Sequence, residues 1–100
     1  MKVLISPGYG DGFSTWNTKE MAIDKDLIAL FERGCTKKEM EEACCLKGYN
    51  AGYGGAPYMG GFSNLKIVEV PNGALFQIRE YDGSEYIEIF NSSEWILAED

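Results

Sequence analysis

Residues 75–90 read LFQIREYDGSEYIEIF. Two runs of alternating polarity flank Asp82-Gly83, a dipeptide suited to a two-residue hairpin turn because both residues tolerate a positive φ. Such a turn sets Tyr81 opposite Ser84 and dictates every pair behind it, so Phe76 faces Ile89 and Ile78 faces Ile87. Those four residues share one side of the sheet, and Gln77, Arg79, Tyr86 and Glu88 share the other. Turn chemistry and hydrophobic pattern agree on one register. Glu80 lands opposite Glu85 on the apolar side, a like-charge pair that calls for a cation, a partner or water.

Working toward the N-terminus, Leu65 to Val70 and a Pro71-Asn72-Gly73 turn add a strand, which predicts a meander of 65–70, 75–81 and 85–90. A short last strand is expected near 95–98. Lys2 to Ser6 is an apolar run stopped by Pro7-Gly8, the pattern of a buried strand. Asp24 can cap a helix that runs to Arg33, burying Leu27, Ile28 and Phe31 and ending at Gly34. Thr36 and Glu39 form a capping box for a second helix, with Met40, Ala43, Cys44 and Lys47 on one face and Gly48 at its end. The reading is a single α+β domain over residues 1–100. Its small antiparallel sheet, a three-stranded meander plus the N-terminal strand, is covered on the Phe76 and Ile78 face by the two-helix hairpin.

Composition narrows the function. Nine Lys and Arg against sixteen Asp and Glu give a net charge of -7, a field that repels nucleic-acid backbones and anionic membranes. Histidine is absent, which removes the usual general base and the commonest metal ligand. No enzyme, metal or cofactor motif is evident, and Asp11, Glu80 and Glu85 read as ordinary solvated carboxylates rather than a catalytic cluster. Cys35, Cys44 and Cys45 cannot all pair and adjacent cysteines seldom bridge, so they read as reduced thiols. MKVLIS is too short for a signal-peptide core, which makes the cytoplasm the expected compartment, with no membrane association. The helical pair around GCTKKEMEEACC has helix-turn-helix spacing but lacks a basic recognition helix, so direct nucleic-acid reading is not expected.

Two loops stand out. Residues 8–17, GYGDGFSTWN, and the stretch from Gly48 to Gly61 are rich in glycine and aromatics, and long loops in so small a domain usually carry function. The first has neither the GxGxxG nor the GxxxxGK spacing of a phosphate loop, and it contains no Lys or Arg. If the loops converge, Tyr9, Trp16, Tyr53 and Tyr58 can stack on a flat ring. Amides of Gly10, Gly12, Gly54 and Gly55, the Asp11 carboxylate and the hydroxyls of Ser14 and Thr15 would then hold its polar edge. A nucleotide-like ligand suits such a wall, and a homo-oligomer interface could supply the missing cations. The alternative use is toward protein: from Glu80 to Asp100 there are seven acidic residues and no basic one. Glu80, Glu85, Glu88 and Trp95 would then meet a basic protein by imitating a nucleic-acid backbone.

The segments SPGYGDGFSTWN, GCTKKEMEEACCLKGY and VPNGALFQIREYDGSEYIEIF together resemble short proteins of unknown function encoded by bacteriophages and prophage-bearing bacteria. The likeness spans nearly the whole chain. It implies a non-enzymatic antagonist of host defence acting in the host cytoplasm, by sequestering a signal molecule or occupying a protein surface. It assigns no residue a role.

Overall fold

The computed structural model describes residues 1–49 and 56–90. Its elements run β1 (Lys2–Ile5), α1 (Lys25–Glu32), α2 (Lys37–Leu46), β2 (Lys66–Glu69), β3 (Leu75–Tyr81) and β4 (Ser84–Phe90), with 3-10 turns at Ser14–Trp16, Lys19–Ala22 and Phe62–Asn64. Among the described residues no helix is long and apolar enough to cross a membrane. The expected strand at 95–98 lies outside the described residues.

The hairpin forms as the turn chemistry dictates. Asp82 (φ 49°) and Gly83 (φ 84°) are both left-handed, the signature of a type I′ turn. Tyr81 pairs with Ser84, Glu80 with Glu85, Ile78 with Ile87 and Phe76 with Ile89. Both helix starts also follow local chemistry. The Asp24 carboxylate accepts from the Asp26 and Leu27 amides, and Thr36 and Glu39 exchange reciprocal capping bonds at 2.9 and 3.1 Å. Gly34 and Gly48 close the helices with φ near +80°, a conformation that a Cβ disfavours.

The three-stranded meander is corrected. The strands form two antiparallel pairs, β1 with β2 and β3 with β4. β2 runs against β1 from Lys2↔Glu69 to Ile5↔Lys66. The Val70 amide donates to the Met1 carbonyl and the Met1 ammonium donates back to the Val70 carbonyl, so the pairing with β1 runs to the last residue before Pro71. Pro71 has no N–H to offer.

The helix hairpin also covers a different face from the one expected. Val3, Leu4 and Ile5 are all buried, and alternation sends Leu4 to one side of β1 and its neighbours to the other. Leu4 packs with Leu27 and Ile28 of α1, Met40 and Cys44 of α2, and Phe13, Met21, Met59 and Leu65. Val3, Ile5, Ala22 and Val70 form the second cluster, on which Phe76, Ile78 and Ile87 pack. The Phe76 and Ile78 face therefore rests on β1 and the Lys19–Ala22 turn. Because Val3, Leu4 and Ile5 are all apolar, the run shows no alternation from which its two faces could be told apart.

The three thiols are free. Burial of Cys44 in the helix-side core pushes its thiol up to about 12, which leaves it protonated and unreactive at neutral pH. At the helix junction, Lys47 contacts Asp24 at 3.1 Å and Asp26 at 2.7 Å, and the Tyr49 hydroxyl donates to Asp24 at 2.7 Å. The cap of α1 is thus held by the C-terminal end of α2.

Candidate functional site

The first loop leaves β1 at Ser6 and is shaped by β4. The Glu85 carboxylate is 1% exposed and accepts four hydrogen bonds: from the Ser6 amide (2.9 Å), the Phe13 amide (2.8 Å), and the Thr15 amide (2.9 Å) and hydroxyl (2.6 Å). The Glu85 amide in turn donates to the Ser6 carbonyl at 2.8 Å. A buried carboxylate is tolerable only when its lone pairs are satisfied, and here the donors come mainly from backbone amides. That answers the Glu80 and Glu85 juxtaposition: no cation is needed, because Glu85 turns into the loop while exposed Glu80 accepts from the Gly83 amide at 2.8 Å.

The tip of the β3–β4 hairpin is pressed against the same loop. Gly10 donates its amide to the Asp82 carbonyl, and the Ser84 hydroxyl donates to the Pro7 carbonyl at 2.7 Å. A Cβ on Gly83 would lie 2.5 Å from the Asp11 nitrogen, and one on Gly12 would lie 2.6 Å from the Trp16 ring. These glycines permit close packing of loop against hairpin.

The second loop arrives on the other side of Trp16. The Asn17 side chain donates to the Phe13 carbonyl (2.8 Å) and the Tyr58 carbonyl (2.9 Å) and accepts from the Tyr58 amide (2.7 Å). The Tyr58 hydroxyl donates to Asp11 Oδ1 at 2.8 Å, and this bond, more than burial, holds the phenol above its ordinary range. The Trp16 and Tyr58 rings lie 5.2 Å apart at 46°, within the range of a favourable aromatic pair. The expected convergence is present for residues 9–17 and 56–61. Tyr53, Gly54 and Gly55 lie outside the described residues.

The individual assignments divide. Tyr9 is 73% and Trp16 39% exposed, so both present ring surface. Asp11 and Tyr58 are half-buried and joined to each other. Gly10 has committed its amide to Asp82, and Gly12 is buried beside Trp16. Thr15 has spent its hydroxyl proton on Glu85, whereas the buried Ser14 hydroxyl has no partner among the described residues. Of the residues assigned to protein contact, Glu85 is corrected: it is sealed inside and holds the loop. Glu80 is exposed, Glu88 lies 3.7 Å from Arg79, and Trp95 falls outside the described residues.

Asn17 and Ser6 were not singled out from the sequence, since neither type is distinctive in a polar loop. Among the hollows between the described residues, two adjoin Ile23. One of about 370 Å³ is bounded by Ser14, Thr15, Lys19, Ile23, Gln77 and the Phe76 and Ile78 side of β3. A larger one, about 570 Å³, lies beyond Ile23 among Lys2, Lys25, Ile28, Glu32 and Asn72 and includes none of the expected site residues. Among the described residues no group of three His, Cys, Asp or Glu side chains is placed to hold a metal ion. Compared with protein-family models, curated proteins and solved structures, the chain gives no match.

Proposed function

We propose that the chain is a non-catalytic binding protein, and that its ligand is a small nucleotide-like molecule whose ring lies on Tyr9 and Trp16 where the two loops meet. The observation that supports this most is the double hydrogen bond between Asn17 and Tyr58, at 2.7 and 2.9 Å. It holds the Tyr58 ring against Trp16 before any ligand arrives, and such preorganisation lowers the entropic cost of binding. Stacking suits any flat heterocycle. Asp11, whose second carboxylate oxygen is not engaged by Tyr58, is suited to accept from a ring N–H or a sugar hydroxyl. Residues 3–18 contain no Lys or Arg, so a charged tail would point away from Asp11 toward solvent or Lys19.

The resemblance to phage-encoded proteins supplies the setting for this reading, in which the protein removes such a signal from a host defence pathway. The rival reading, an acidic inhibitor of a basic protein, has less to stand on because Glu85 offers no surface and Glu88 has Arg79 beside it. Thermal unfolding against a panel of linear and cyclic nucleotides tests the proposal. A ligand at a hundred times its Kd adds about 2.7 kcal/mol, a rise of several degrees that Trp16→Ala should remove. A panel that leaves the midpoint unchanged would overturn it.

A further inference from the structure

We propose that the 370 Å³ cleft between residues 14–23 and β3 is a second binding site, and that it takes a small organic carboxylate with an aryl or short hydrocarbon body. Three features of the cleft point to that chemistry. Its wall includes Ile23, Phe76 and Ile78, enough apolar surface to cover a six-carbon frame. Lys19 stands at the same cleft. Lys2, Lys47 and Arg79 each have an acidic partner, whereas among the described residues Lys19 forms no ion pair. A carboxylate bound there would meet a cation that has no acidic partner among the described residues.

Ser14 supplies the independent sign. The residue is 2% exposed and lines the cleft, and its Oγ has no hydrogen-bond partner among the described residues. A buried hydroxyl without a partner is unfavourable, and a carboxylate oxygen in the cleft would accept from it. The edge of β3 adds to the polar rim. With Tyr81 and Ser84 flanking a two-residue turn, the backbone groups of Phe76 and Ile78 point away from β4. Gln77, whose side chain alternates to the opposite face, also lines the cleft, so the hollow reaches around this edge. The site thus combines an apolar wall with one cation and a few hydrogen-bonding groups, too weakly positive for a polyphosphate.

The experiment is an amide-resolved NMR titration with benzoate and hexanoate, using benzamide and hexanamide as neutral controls. The expected result is saturable movement of the Ser14, Lys19 and Gln77 resonances, with the acids binding about tenfold more tightly than the amides. Lys19→Gln should erase that preference. Ser14→Ala should weaken the acids several-fold without lowering the unfolding midpoint, because it deletes a group that has no partner among the described residues. Tyr9→Ala separates this site from the loop platform: it should weaken nucleotide binding and leave benzoate binding unchanged. Equal binding of acids and amides, movement confined to the loops, or no movement would each overturn the proposal, whatever the nucleotides do.

Discussion

Asn17 and Tyr58, forty-one residues apart, are joined as two strand residues would be: the Asn17 side-chain amide replaces a backbone, donating to the Tyr58 carbonyl and accepting from its amide. Together with the Tyr58–Asp11 hydrogen bond and the Trp16–Tyr58 ring contact, this side chain joins the two glycine-rich loops.

Asn17→Ala should therefore cost about 3 kcal/mol, three net hydrogen bonds of about 1 kcal/mol each. It should also release the Trp16 and Tyr58 rings from each other. Urea unfolding measures the first effect and near-ultraviolet circular dichroism the second. Asn17→Asp should be no better, since a carboxylate cannot donate to the Phe13 and Tyr58 carbonyls. Wild-type stability in both variants would contradict the bracing role.

Glu85 should be more sensitive still. In Glu85→Gln the amide nitrogen must replace one carboxylate oxygen, facing either the Ser6 amide or the three donors on Oε2. Leaving a buried donor unmet costs about 1–3 kcal/mol and losing charge-assisted bonds adds to it, so we expect a loss of about 2–5 kcal/mol in urea unfolding. A change below about 0.5 kcal/mol would show that Glu85 does not hold the loop.

Gly83→Ala tests the contact between hairpin tip and loop. The new Cβ meets both a left-handed φ of 84° and the Asp11 nitrogen. The expected loss exceeds the roughly 1 kcal/mol of an ordinary left-handed glycine substitution. Asp82→Asn, which keeps a residue suited to the same turn, should leave the unfolding midpoint within a degree or two.

Stability should also fall on acidification through Asp24. Burial alone would raise this carboxyl, but hydrogen bonds from Tyr49, the Leu27 amide, Lys47 and the Asp26 amide outweigh it and hold it below its ordinary range. A lowered folded-state value contributes stability that is present above the unfolded value of about 3.9 and is lost as pH falls through the folded one. Asp24→Asn keeps a good helix cap while removing the charge that Lys47 meets. The stability gap between wild type and this variant should be widest near neutrality and close below pH 4. A gap independent of pH would contradict the assignment.

What could be read from residues alone was what neighbours in the chain decide. Asp82-Gly83 carries its register in its own backbone preferences, and Asp24, Thr36 and Glu39 cap helices within one turn of themselves. The pairing of β1 with β2 could not be read the same way, because Val70 chooses Met1 across the length of the chain and nothing local distinguishes that partner from β3. The site shows the same division. Tyr9, Asp11, Trp16 and Tyr58 stood out by type, but the agents that assemble them, Asn17 and Glu85, act over long separations. Glu85 did leave a trace, since a carboxylate on the apolar side of a hairpin must find donors, and the wrong inference was that those donors would come from outside.

The most direct test of the binding reading is the side-chain NMR response of Trp16 during titration with the nucleotide panel, its indole resonance assigned with Trp16→Phe. At least one member should move the Trp16 indole and Tyr9 ring signals together along a saturable curve. If no member moves them, or if a nucleotide binds while both rings stay unaffected, the braced loops are not the site.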